Sequence, residues 1–73
     1  MPSIPAIKAI KLIKVLEKDG FVFKRSAGSH QIFFHPLKRV VVSTPVHKGK
    51  DLGKGITLAI LKDAKISTEQ FLK

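Results

Sequence analysis

Between Lys8 and Lys18 the apolar residues Ala9, Leu12, Ile13 and Leu16 recur at the i, i+3, i+4, i+7 spacing of a helix that covers a core. Gly20 is placed to end it. Pro2 and Pro5 make the preceding residues an irregular lead-in, because proline is tolerated only at a helix start. After Gly20 the period changes to two. Phe21 and Phe23 fall on one side and Val22 and Lys24 on the other, which predicts a strand, and a turn follows at Ser26 to Ser29. Ser29 to His35 alternates His30, Ile32 and Phe34 with Gln31, Phe33 and His35. Both sets hold aromatics, so the period leaves the buried face undecided. Pro36 stops this strand, Leu37 and Lys38 make a tight connection, and Arg39 to Thr44 forms a third strand around three consecutive valines.

Pro45 to Gly55 carries one Pro, three Gly and three Lys with neither period, which predicts an exposed mobile loop. Helical spacing returns from Ile56 to Ala64 through Leu58, Ile60 and Leu61. Ser67 and Gln70 then form an S-x-x-Q capping box that opens a short helix ending in Phe71 and Leu72. The predicted fold is α+β: a two-layer α-β-β-β-α arrangement with a three-stranded antiparallel sheet, both main helices on one face, and a short extra C-terminal helix. At 73 residues, positions 1–73 make a single domain with one thin core.

Charge changes the picture most. Fourteen Lys and Arg against five Asp and Glu give a net charge of +9, which favours a polyanion, nucleic acid above all, as partner. On the first helix Lys8, Lys11, Lys14 and Lys18 gather into a stripe beside the apolar face, usable for gripping phosphates or simply for solubility. No apolar run approaches the 18 or so residues of a membrane span, and the N-terminal apolar stretch is interrupted by lysines, so no membrane association and a cytoplasmic location are expected. Cysteine is absent, which removes thiolate chemistry. Three His without carboxylate neighbours lack metal-ligand spacing, and Gly49, Gly53 and Gly55 match no nucleotide fingerprint. Neither metal nor cofactor is expected. The carboxylates Glu17, Asp19, Asp51, Asp63 and Glu69 sit at helix-end and loop positions, unlike a glycosidase pair.

The segment from Lys24 to His30 concentrates chemistry. Lys24 and Arg25 supply positive charge, Gly28 allows close backbone approach, Ser29 offers a hydroxyl, and His30 brings an imidazole able to give and take protons near neutral pH. Cleavage of RNA by transesterification asks for such groups: a base for the 2′-OH, an acid for the leaving 5′-oxygen, and cations for the phosphorane-like transition state. The plain alternative is a small basic domain in which a histidine falls near a lysine by accident. His35, at a strand end, reads as a turn or rim residue. His47, beside Lys48 in the loop, reads as a phosphate contact or a solvated histidine.

Gly20-Phe21, the Gly28-Ser29-His30 motif, His35-Pro36, Pro45-x-His47, Leu52, Gly55, Ile60-Leu61-Lys62, Ile66-Ser67 and Glu69-Gln70-Phe71-Leu72, in this order and spacing, resemble the HicA toxins, also called the YcfA-like family. The resemblance covers nearly the whole chain. It implies a double-stranded-RNA-binding-domain-like fold and mRNA interferase activity, held in check by a HicB-like antitoxin. His30 stands at the family's catalytic histidine, with Gly28 and Ser29 completing the motif, and the carry-over ends there; Lys24, Arg25, Gly28, Ser29, His47 and Lys48 are expected as RNA contacts from their own chemistry. Many relatives carry a second His where this chain has Gln31, and Gly where it has Lys65; a Cβ in a left-handed cap costs on the order of 1 kcal/mol, so that turn is expected to differ in shape.

Three functions share such a fold. One is a metal-independent endoribonuclease toxin acting on mRNA as a monomer and silenced in an antitoxin complex. Another is a non-catalytic RNA-binding module, and the third is a domain whose task is to bind a protein.

Overall fold

The computed structural model describes residues 7–46 and 51–72. Strand β1 (Ile7–Lys8) leads into helix α1 (Ala9–Asp19), followed by β2 (Val22–Ala27), β3 (His30–His35), β4 (Val40–Pro45), β5 (Asp51–Leu52), α2 (Lys54–Asp63) and α3 (Thr68–Leu72). β2, β3 and β4 form an antiparallel meander in that order. The α+β architecture read from the periods is the one found.

Alternation settles which sheet face the helices cover. Phe33, His35, Val42 and Thr44 are buried, so Gln31, Phe33 and His35 point toward the helices and His30, Ile32 and Phe34 point away. From the helix layer α1 contributes Ala9, Leu12 and Leu16, and α2 contributes Thr57, Ile60 and Leu61. Ala64, Ile66 and Phe71 close the same core.

Both main helices end in the same way. Gly20 donates its N–H to the Glu17 carbonyl (3.1 Å) and Phe21 to that of Leu16 (3.0 Å), with Gly20 at φ +118°. Lys65 donates to Lys62 (3.1 Å) and Ile66 to Leu61 (2.9 Å), with Lys65 at φ +57°. These are paired Schellman bonds. The expectation of an altered turn at Lys65 is therefore wrong: the left-handed shape is kept and the lysine bears its strain, held by the helix-capping bonds on either side.

Other expectations need correction. Pro45 to Gly55 is not wholly an exposed loop, because Leu52 is buried and Asp51–Leu52 pairs antiparallel with Ile7–Lys8, flanked by a Lys8–Asp51 ion pair of 3.3 Å. The lead-in is thus partly a strand. Phe21 and Phe23 do keep to one side, as the period of two predicts: Phe21 is buried ahead of β2, and Phe23, paired with the helix-facing Phe33, is 53% exposed and edges against its ring. β2 runs on to Ala27, shortening the turn to two residues. Of the apolar residues that mark α2, Ile60 and Leu61 are buried and Leu58 lies on the outer side.

Candidate functional site

Gly28 and Ser29 alone connect β2 to β3. Gly28 has φ +59° and Ser29 does not enter the left-handed region, the pattern of a two-residue II′ hairpin turn with glycine first. A Cβ at Gly28 would meet nothing within 4 Å, so glycine is required there for its backbone angle and not for room. Val46 N–H donates to the Ser29 carbonyl at 2.7 Å, tying the turn to the end of β4. His30 is thereby fixed as the first residue of β3, between Ala27 and Pro45.

The helix-free face of the sheet reads in three rows. Ala27, His30 and Pro45 make the first, Arg25, Ile32 and Ser43 the second, and Val22, Phe34 and Val41 the third. This order depends on a bulge. Phe23 pairs with Phe33 but Arg25 pairs with Ile32, so Lys24 is an extra residue and the register shifts there. In a regular strand consecutive side chains take opposite faces, and one of the two cations would point at the helices. The bulge lets both serve the open face. Arg25 is a diagonal neighbour of His30, about 7–8 Å away by strand geometry. Lys24 instead lays its Nζ over the Phe34 ring, 5.4 Å from the centroid.

His30 is exposed, and its side chain makes no hydrogen bond among the described residues. Gln31, next to His30 in the chain, belongs to the opposite face and has no place in the row of His30. Ser29 and Gly28 are exposed beside it, while His47 and Lys48 lie outside the described residues. The structure thus brings Arg25, Gly28, Ser29 and His30 to one end of the open face and directs Lys24 to the other.

His35 is not a rim residue. It is 5% exposed on the helix side, where Nδ1 accepts the Lys38 backbone N–H (3.1 Å) and Nε2 faces the Asp19 carbonyl at 2.9 Å. A backbone N–H can only donate, so Nδ1 is unprotonated and Nε2–H is the donor to Asp19. The ring also meets Phe21 edge-on at 4.9 Å. This histidine fastens the end of α1 to the β3–β4 turn and has no path to His30.

Sequence reasoning left the face of Phe34 undecided and missed the bulge. Aromatics on both faces of β3 hid the first, and no residue pattern announces the second. Among the described residues no three His, Asp or Glu side chains gather as a metal-holding group, and no helix is long and apolar enough to cross a membrane.

A family model described as HicA toxin of bacterial toxin-antitoxin matches residues 10–66, from the first turn of α1 through the hairpin with His30 to the cap of α2. No curated protein matches.

Proposed function

The chain belongs to the HicA toxin family of bacterial toxin-antitoxin systems, and we propose that it acts as a metal-independent endoribonuclease on mRNA, with His30 as its catalytic residue and a HicB-like antitoxin as its inhibitor. The observation that carries this reading is the position of His30: exposed, held by a two-residue turn, and diagonal to Arg25 on a face the helices leave open. A nucleotide can reach this imidazole from solvent.

In this mechanism His30 takes the proton of a ribose 2′-OH. The 2′-oxygen forms a bond to the adjacent phosphorus, the bond to the 5′-oxygen breaks, and the products are a 2′,3′-cyclic phosphate and a 5′-hydroxyl end. Arg25 lies within reach of the same phosphate, where its fixed fork of donors suits charge on two oxygens. The leaving 5′-oxygen takes up a proton as its bond breaks, and Ala27 and Pro45, the neighbours of His30 in its row, have no group to supply it. An antitoxin that sets acidic side chains against Lys24 and Arg25 would block the same face and neutralise its charge together.

The test is RNA cleavage by wild type and His30→Ala, with and without EDTA. The variant is expected to lose cleavage while keeping its fold and RNA affinity, and EDTA is expected to have no effect. Cleavage by His30→Ala would take the catalytic role from His30, products with 3′-hydroxyl ends would overturn attack by the 2′-OH, and intact RNA after incubation with wild type would leave an RNA-binding module.

A further inference from the structure

The third row of the open face has no part in the chemistry above. Val22 and Val41 are 51% and 55% exposed on either side of Phe34, whose ring is covered by the ammonium of Lys24. Phe34 stands four residues along β3 from His30, a span of about 13 Å at the usual rise of a strand. Arg25 and Ile32 lie between. A π-face flanked by small aliphatic residues, a flexible cation resting on it, and a second cation toward the reactive imidazole make up the composition of a platform for single-stranded nucleic acid.

We propose that Phe34 is a base-stacking residue for the RNA strand, taking a base a few nucleotides from the ribose whose 2′-OH meets His30. On binding, Lys24 leaves the ring for a backbone phosphate, and the base takes its place between Val22 and Val41. The cation–π contact marks the face as accessible: a group held by one lysine rotamer, with no hydrogen bond from Lys24 among the described residues, is displaced at small cost. The bulge at Lys24 gains a purpose, since it delivers one cation to each end of the same track. A single strand is favoured over a duplex because stacking needs an unpaired base, and over a protein because both flanking cations and the net charge of +9 favour a polyanion. The assignment of the track's far end to His30 rests on the ribonuclease reading; stacking at Phe34 does not.

Binding is measured with a fully 2′-O-methylated oligoribonucleotide, which cannot undergo attack by a 2′-OH, so affinity is read apart from cleavage. Phe34→Leu keeps an apolar side chain in the row and is expected to raise the Kd roughly tenfold, as loss of one stacked base does. Phe34→Tyr is expected to restore wild-type affinity. Phe34→Trp introduces the chain's only tryptophan, and its fluorescence is expected to be quenched saturably by the oligonucleotide. Thermal unfolding checks that each variant is folded. An unchanged Kd for folded Phe34→Leu together with an unquenched Phe34→Trp overturns the proposal, and so does a Phe34→Leu defect confined to binding of a purified antitoxin. Neither result touches the His30→Ala cleavage test, and a His30→Ala variant that still cleaves leaves stacking at Phe34 standing.

Discussion

The ammonium of Lys38 lies 2.7 Å from Asp19 Oδ2. The contact joins the β3–β4 turn to the end of α1, and the same Nζ reaches the carbonyls of Ala64 and Lys65 at 3.1 Å each, just beyond α2. Gln70 Nε2 from α3 donates to the other carboxylate oxygen at 2.7 Å, and His35 holds the Asp19 carbonyl. Three helices and the sheet thus meet at one pair of charges. Lys38→Met leaves a carboxylate only 10% exposed and two helix-end carbonyls without their donor. A loss of about 2–3 kcal/mol is expected, read by chemical denaturation at neutral pH. A stability equal to that of wild type would show the cluster to be incidental.

The same cluster sets the response to acid. Burial pushes the Asp19 carboxyl upward, but the hydrogen bonds from Lys38 and Gln70 and the charge of Lys38 outweigh it, so the group sits below its ordinary value of 3.8. A carboxyl lowered on folding stabilises the protein fully above its unfolded value. That stability is lost as pH falls through the lower folded value. Wild type is expected to weaken below about pH 4, with Asp19→Asn less stable at neutral pH and flatter in that window. Parallel pH curves for the two would show that another group governs acid unfolding.

Two glycines separate backbone conformation from space. At Gly20 a Cβ would stand 2.8 Å from His35 Nε2, and φ is +118°. The ring cannot yield without breaking its bonds to Asp19 and Lys38. At Gly28 the φ is +59° and the space is empty. Gly20→Ala is expected to cost upward of about 3 kcal/mol and Gly28→Ala about 1–2 kcal/mol, both measured by urea unfolding. Equal costs would mean that the His35 contact relaxes freely.

Lys65 offers the opposite substitution. Its φ of +57° is costly for a side chain with a Cβ, and its contribution to the Lys38 cluster is a backbone carbonyl that any residue provides. Lys65→Gly is expected to stabilise by about 0.5–1 kcal/mol after the entropy glycine adds to the unfolded chain. A lower melting temperature would show that the lysine side chain matters in its own right.

What was legible in the sequence followed from period. The helical spacing of Ala9, Leu12 and Leu16 is long enough to define α1, and the valines define β4. The capping box at Ser67 was half right: Gln70 N–H donates to Ser67 Oγ at 3.0 Å, but the Gln70 side chain reaches Asp19 instead of turning back. Pairing of Ile7–Lys8 with Asp51–Leu52 was hidden because two residues carry no period. His35 was misplaced for a related reason. Its burial depends on Asp19, Phe21 and Lys38, contacts made only once the chain has folded. The place of His30 at the start of a strand is legible because its turn is local, whereas the shared face of Arg25 and Lys24 hangs on a bulge that no local pattern encodes.

Two positive surfaces, one on α1 and one on the open sheet face, could hold RNA. Lys11, Lys14 and Lys18 lie on the solvent side of α1, in the layer opposite the open sheet face, whereas Arg25 lies on that face. Each phosphate neutralised along a single strand contributes about −0.7 to the slope of log affinity against log salt, so four or five contacts give roughly −3 to −3.5. Arg25→Gln is expected to flatten the slope by about 0.7 and to weaken binding of every sequence alike, while Lys14→Gln leaves the slope unchanged. Titrations of the 2′-O-methyl oligonucleotide across a salt series measure both. A slope that responds to Lys14 and ignores Arg25 would move the RNA to the helix layer, away from His30, and with it the ground for cleavage at that residue.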